Sequence, residues 1–314
     1  MGTITAICIS QQKGTPKHPV PSALIIKNWG IEGDAHAGEW PRQISLLSKE
    51  KIDLFRERGA EVTYGSFGEN LVVEGFDLAT LPIGSLLSCG SVLLQVTQIG
   101  KECHNHCEIF KRMGECIMPH EGIFAKVLHG GEIKAGDNIE SLKCYRVAII
   151  TSSDSGYNGL REDESGNTIR QMCAAEGYDI SHYILLPDER KLLSDEMMNI
   201  CDNNLADLIL TTGGTGFSPR DCMPEATLDI VERIVPGIPE AIRGLSLNIT
   251  PRAMLSRAAA GIRKHTLIIN LPGSPKAVHE CLAYVLPTLR HGLDILTEQT
   301  KNCAQAEISE NKNF

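Results

Sequence analysis

The sequence predicts two domains: a mainly β, barrel-like N-terminal one and an α/β C-terminal one with a mostly parallel sheet. Three observations predict this. A chain of 314 residues is long enough for two domains at roughly 150 residues each. Residues 1–142 hold short apolar runs broken by Gly and Pro, the pattern of a sandwich or barrel. From Tyr145 onward, continuous apolar runs alternate with amphipathic stretches, as in a parallel sheet covered on both faces.

In order, strands are expected over residues 3–9, 70–73, 85–89 and 91–99, and a helix over Ser48–Arg58. Gly130–Glu140 reads as a turn-rich strand pair that ends the first domain. The second begins with the apolar run YRVAIITSSD from Tyr145. A helix over Asn167–Glu176 follows, with Ile169, Met172 and Cys173 at i, i+3 and i+4. Then come a strand (Tyr183–Leu186), a helix (Leu192–Asn203) and a strand (Asp207–Thr211). A helical region beginning near Pro224, a strand (Thr266–Asn270) and a helix (Pro275–Leu286) close the series. The domain bounds are therefore 1–142 and 145–297, with a polar, frayed tail over 298–314.

The net charge of −9 is spread evenly, with 13 basic against 17 acidic residues in 1–142 and 17 against 22 in the rest. Neither half has the clustered Lys and Arg that displace counterions from nucleic acid, which argues against that partner, and none is expected. A small anion is not excluded, because backbone amides bind phosphate without net positive charge. No apolar run reaches the roughly 18–20 residues that span a bilayer. The start, MGTITAICIS, lacks a basic segment followed by a long apolar core. A cytoplasmic protein without a membrane partner is expected, its 11 cysteines free or functional rather than bridged.

Three loops of the second half follow strands, where open parallel sheets bind ligands: 152–167, TTGGTGFSPRD (Thr211–Asp221) and NLPGSPKA (Asn270–Ala277). Gly213, Gly214 and Gly216 allow positive φ and leave room for a ligand. Thr212, Thr215 and Ser218 add hydroxyls, and the amides between them can form an anion nest. Pro224 suits the first turn of a helix, whose N-terminus would add positive potential. No Gly-Lys-Ser/Thr closes the loop, so it is not a Walker A motif. Asp154 and Asp163 in the first loop, Asp188 after YILLP and Asp221 at the end of the glycine loop place carboxylates on the same edge. Carboxylates beside phosphate call for a cation, and Mg²⁺ is bound through one or two carboxylates plus substrate phosphates. Each Asp is equally suited to capping a helix or a turn.

The strings SSD (152–154), EDESG (162–166), PDE (187–189), LTTGGTGFSPRD (210–221), PEAT (224–227), LSRAAAGIR (255–263) and NLPGSPKAV (270–278) together resemble the MogA/MoaB family. The resemblance implies a three-layer α/β domain, commonly a homotrimer, that adenylylates molybdopterin with ATP and Mg²⁺. It implies Asp188 and Asp221 as catalytic residues and Mg²⁺ ligands. It also implies pterin or nucleotide contacts from Thr212, Gly213, Gly214, Thr215, Gly216, Ser218, Asp154, Asp163, Gly273, Ser274 and Lys276, with Arg220 as a further cation. The sequence departs from the family at Ser155, where many members have Arg, and at Met223, where many have a Thr able to cap the following helix.

The first half carries Cys103, His104, His106 and Cys107 in one segment, with Cys116 and His120 further on. Thiolate and imidazole suit zinc, but the Cys-x₂-Cys pair is absent. A lone reactive Cys and buried apolar thiols are the other readings. GIEGDAHAG (30–38), RQISLL (42–47), FGENLVVEG (67–75), LPIGSLL (81–87) and the Cys segment resemble a MOSC domain, a β-barrel-like fold associated with molybdenum cofactor and sulfur transfer. That resemblance implies a role for Cys103 and contacts to pterin or phosphate from His36 and Arg42. The leading expectation is an enzyme of molybdenum cofactor biosynthesis whose second half adenylylates molybdopterin while the first binds pterin or finished cofactor. The alternatives are a non-catalytic cofactor carrier and a sulfur carrier acting through Cys103. Other molybdenum-cofactor proteins are possible partners.

Overall fold

The computed structural model describes residues 1–75, 77–100 and 108–297. The chain forms two compact units, Met1–Cys144 and Tyr145–Phe314.

The first unit contains strands β1 (Gly2–Ile9), β2 (His18–Val20), β3 (Ser22–Ile26), β4 (Gly30–Ile31), β5 (Ile44–Ser48), β6 (Leu71–Glu74), β7 (Leu86–Cys89), β8 (Val92–Ile99), β9 (Ile123–His129), β10 (Gly131–Lys134) and β11 (Asn138–Leu142). Its helices are α1 (Lys49–Glu57), α2 (Glu108–Met113) and α3 (Met118–Glu121). The main sheet runs β11-β7-β8-β9-β5-β6-β1-β2, and a β1–β11 pairing closes it into a barrel. Closure rests on Gly2↔Ile139 and Thr3↔Asn138. Among the described residues of this unit only β5 and β6 pair in parallel, so the chain needs a crossover between them, and α1 supplies it.

The barrel is filled by side chains, including Ile4, Leu46, Leu71, Val73, Leu94, Val96, Ile123 and Val127. Alternate residues Ala6, Cys8, Leu47 and Val72 face outward and are covered by Ile52 of α1 and Met118 of α3. The segment Gly130–Glu140 is not a strand pair. β10 joins β3 in a separate three-stranded sheet, while β11 pairs with β7 and β1. The turn between them moves the chain from one sheet to the other, which local pattern does not reveal.

The second unit contains β12 (Arg146–Ser152), α4 (Asp154–Tyr157), α5 (Glu164–Ala175), β13 (Asp179–Leu186), α6 (Arg190–Asp202), β14 (Leu208–Thr212), α7 (Met223–Leu228), β15 (Arg233–Ile234), α8 (Gly237–Leu247), β16 (Ala260–Arg263), β17 (Thr266–Leu271) and α9 (Pro275–Leu296). The sheet order is β13-β12-β14-β17-β16-β15. The first four strands are parallel, and β16 and β15 add an antiparallel edge. Alternation along β12 sends Val147 and Ile149 to a cluster with α5, α8 and α9. Ala148 and Ile150 go to a second cluster with Leu193 and Met197 of α6 and Met223 of α7.

Three elements differ from expectation. β13 begins at Asp179 rather than Tyr183, because as an edge strand it tolerates the polar Asp179, Ser181 and His182. The single helical region expected after Pro224 is instead α7, β15, α8, a short 3₁₀ turn (Pro251–Leu255) and β16. The last helix continues ten residues past Leu286, through Pro287. Proline removes one helical hydrogen bond. Here the bond lost is to the carbonyl of Ala283, and both residues lie on the exposed face, where water can replace it.

Candidate active site at the strand carboxyl edge

β12 leads outward to β13 on one side and β14 on the other, so the strand order reverses between β12 and β14. A crevice opens at such a switch point, outside the carboxyl ends of the strands. The loops after β12, β13, β14 and β17 meet there.

Backbone packing makes glycine necessary at the meeting point. Gly213 has φ +89°, and a Cβ there would lie 2.2 Å from the carbonyl oxygen of Ser152. A Cβ on Gly273 would touch the Cα of Gly213 at 3.4 Å. Thr212 Oγ1 donates to the Pro272 carbonyl at 2.6 Å, tying the second loop to the third. Below it, buried Asn270 donates to the hydroxyls of Thr211 (2.9 Å) and Thr227 (2.8 Å) and accepts from the Ala259 amide (3.1 Å).

The glycine loop then turns back on itself. The Asp221 carboxylate accepts from the Ser218 amide at 3.0 Å, and the Met223 amide donates to the Gly214 carbonyl at 3.0 Å. Among the described residues, the amides of Gly214, Thr215, Gly216 and Phe217 donate to no protein acceptor. Consecutive amides of this kind are what an anion nest requires. The helix behind the loop, α7, has only six residues, so its dipole is short. Its N-cap is Cys222, and Met223 is fully buried against α6. A Thr at 223 would thus sit in the core, not at the capping position.

Asp188 is fixed on three sides. Ser152 Oγ donates to Oδ1 at 2.5 Å, the Asp154 amide donates to Oδ2 at 3.1 Å, and the Asp188 amide returns a bond to Asp154 Oδ1 at 3.0 Å. Arg220 reaches across from the glycine loop and donates through Nε (3.0 Å) and a terminal nitrogen (2.8 Å) to both oxygens of Asp154. This ion pair holds the Asp154 carboxyl below its usual range. Ser155 leaves no cation at its own position, and Arg220 supplies one from another loop. Burial, reinforced by Asp188 and Glu225, pushes the Cys222 thiol up, away from the thiolate form.

Asp163 caps α5 through the Gly166 amide (2.8 Å) and accepts from the Thr151 and Tyr183 hydroxyls, both at 2.6 Å. Its oxygens are spent on protein donors. Thr215 is buried, Ser218 is exposed, and Ser274 caps α9 through the Ala277 amide at 3.3 Å. Lys276 is exposed and 3.9 Å from Glu280.

Sequence reasoning missed Arg257. It lies 36 residues beyond Asp221, yet it donates to the carbonyls of Gly216 and Asp221, both at 2.7 Å, and pairs with Glu225. It is the strut of the glycine loop. An Arg directly before AAAGIR carries no local sign of that contact.

In the first unit, the Arg42 guanidinium stacks over Trp40 (5.0 Å) and Phe124 (5.8 Å). His36 is half-buried, with Nδ1 3.9 Å from Asp34. Asp34 itself lies in a buried polar cluster that sequence reasoning did not single out. It accepts from Lys17 Nζ (2.5 Å), the Ser10 amide (3.0 Å) and the Asn70 side chain (3.0 Å). Burial raises the Asp34 carboxyl, but these donors outweigh it and the net shift is downward. For Lys17 burial wins, and its ammonium is shifted down. Cys103, His104, His106 and Cys107 lie outside the described residues. Among the described residues, no three His, Cys, Asp or Glu side chains are grouped to hold a metal, and no helix is long and apolar enough to cross a membrane.

Residues 148–291 match the family described as Probable molybdopterin binding domain, and residues 33–140 match the MOSC domain. The Molybdopterin adenylyltransferase of Helicobacter pylori (strain J99) is 38% identical over 159 residues, which is 49% of this chain and 89% of that protein. Gephyrin of Dictyostelium discoideum is 41% identical over 168 residues, 50% of this chain and 23% of gephyrin. Among solved structures, the molybdopterin biosynthesis enzyme MoaB of Thermus thermophilus is 45% identical, covering 49% of this chain and 97% of that one at a TM-score of 0.47.

Proposed function

The chain belongs to the molybdopterin-binding family that includes the molybdopterin adenylyltransferases, with a MOSC domain preceding that region, and we propose that residues 145–297 transfer an adenylyl group from ATP to molybdopterin. The observation that carries the reading is the row of uncommitted amides from Gly214 to Phe217 at the switch point, flanked by Asp188 and Asp221. A terminal phosphate oxygen of molybdopterin attacks the α-phosphorus of ATP. The bond from that phosphorus to the bridging oxygen breaks, and pyrophosphate leaves. Such a reaction asks the protein for positioning and charge neutralisation rather than covalent work. Gly213–Gly216 and Ser218 cradle phosphate. Thr212, Thr215 and Gly273 shape the cradle, and Ser274 and Lys276 border it. Asp154 and Asp163 act indirectly, by fixing Asp188 and the start of α5.

Mg²⁺ fits this edge as a cation carried in with nucleotide. The site offers two carboxylates rather than a closed cage, and Mg²⁺ takes one or two carboxylates plus phosphate oxygens. Asp221, one of whose oxygens accepts no bond among the described residues, and Asp188, each of whose oxygens accepts a single bond and keeps a lone pair, would hold it, and it would offset charge on the phosphates.

The MOSC domain binds pterin or cofactor in this reading, through Arg42 and His36, with Cys103 as the sulfur-bearing candidate. A homotrimer is the proposed assembly. Leu247, Ile249, Met254 and Leu255, at the end of α8 and in the turn after it, are exposed apolar side chains that a second copy could cover.

Purified protein with molybdopterin, ATP and Mg²⁺ should release pyrophosphate. Intact pterin binding without release would replace the enzyme by a carrier. Release should be lost in Asp221→Ala and kept in Cys103→Ala; the opposite pattern would place the chemistry in the first domain.

A further inference from the structure

The Arg220–Asp154 pair joins two loops that leave the sheet on opposite sides of the switch point. Its two members are held very differently. Asp154 is fixed by reciprocal amide bonds with Asp188, at 3.0 and 3.1 Å. Arg220 has a side chain 55% exposed, and among the described residues its guanidinium hydrogen-bonds only to Asp154. It also feels the fields of Asp188 and Glu189. A guanidinium fork fits a carboxylate and a phosphate equally well. An exposed ion pair is weak enough to be exchanged for a better anion.

We propose that Asp154 is a built-in competitor for Arg220: a ligand phosphate binding the glycine loop takes the guanidinium from Asp154, so the resting pair sets how tightly phosphate is held. This rests on the reading that the strand edge binds phosphate. It assigns Arg220 as a phosphate-contacting residue and Asp154 as a positioning residue that lowers affinity. Asp154 thereby acts against weak, singly phosphorylated anions that cannot displace it.

The test is calorimetric titration of inorganic pyrophosphate into the full chain, without divalent metal and at low salt. Asp154→Asn keeps an oxygen for the Asp188 amide but ends the ion pair. It should tighten pyrophosphate about fivefold, the scale of an exposed ion pair. Arg220→Ala should weaken binding about tenfold or more and flatten its dependence on salt. In the Arg220→Ala background, Asp154→Asn should change nothing. Arg220→Lys should fall between wild type and Arg220→Ala, because it keeps charge without the fork. Equal tightening by Asp154→Asn with and without Arg220 would overturn the proposal, since general charge would then explain it. Unchanged or weaker binding in a folded Asp154→Asn would overturn it too. Wild type that binds no pyrophosphate would instead overturn the phosphate-site reading itself.

Discussion

Gly213→Ala probes how closely the strand-end loops are packed. The residue sits at φ +89°, where an L side chain is strained by about 1–2 kcal/mol. The new methyl would also stand 2.2 Å from the Ser152 carbonyl oxygen, when contacts under 3.0 Å are essentially never seen. One loop must retreat by about 0.8 Å, yet both are anchored one residue earlier by the Thr151↔Thr212 pairing. Forced overpacking of this kind costs about 1–3 kcal/mol, so the sum is roughly 2–5 kcal/mol. Displacement of a positioning loop by about 1 Å lowers turnover on the order of 100-fold. Two other glycines calibrate the experiment. Gly214 (φ +63°) meets nothing nearer than 3.3 Å, and Gly159 (φ +71°) has nothing within 4 Å. Gly159→Ala should lose about 1–2 kcal/mol from backbone strain alone, and Gly214→Ala more than that, because its methyl would also press on Asp188 Oδ1. Denaturant midpoints and pyrophosphate release are measured on all three alanine variants. If Gly213→Ala matches Gly159→Ala in both, the close approach does not constrain the loop and the reasoning fails.

Arg257→Ala removes two bonds to carbonyls of the glycine loop and the pair with Glu225 of α7, and should destabilise by about 2–3 kcal/mol, while lowering turnover more than it raises the KM for ATP. An unchanged unfolding midpoint would deny it the strut role. Glu69 is fully buried and accepts from the Gly65 and Phe67 amides. Burial lifts its carboxyl from 4.5 to about 7. Its stabilising contribution is therefore fully present below about 4.5 and lost as pH rises through about 7, a change of roughly 3 kcal/mol. Urea unfolding of wild type and Glu69→Gln across that range should show wild type losing this much relative to the variant; parallel curves would refute it. Tyr183 titrates above the ordinary phenol range because of burial and its bond to Asp163. In Asp163→Asn its absorbance titration should move down, and an unmoved curve would mean Asp163 exerts no field on it.

What the sequence revealed was what is local. Glycines 213, 214 and 216 advertise a loop with room for a ligand, and Ser48–Arg58 reads as a helix from its own pattern, although its place as the crossover between β5 and β6 does not. The hidden features are long-range. Arg257 supports a loop distant along the chain, and Arg220 pairs with an aspartate 66 residues away. Barrel closure depends on β1 meeting β11, two strands from opposite ends of the domain. Pro287 misled because a helix stop signal is judged by chemistry alone, whereas its exposed face decides whether the helix survives. Asp163 kept two meanings in sequence, and only its partners mark it as a cap.

Asn270 has one further consequence. Parallel strands can slip by two residues without turning any side chain to the wrong face. Leu208 and Leu210 on β14 would still match the leucines and isoleucines of β17 after such a slip. Asn270 would not: it faces Thr211 in the native register, and moving it would strand a buried amide at a cost of about 1–3 kcal/mol. It therefore works as a key that admits one alignment of the two central strands during folding. Because Gly213 and Pro272 lie just beyond that pair, the same key sets their loops at one height, so the level of the ligand site is decided in the core before any ligand arrives.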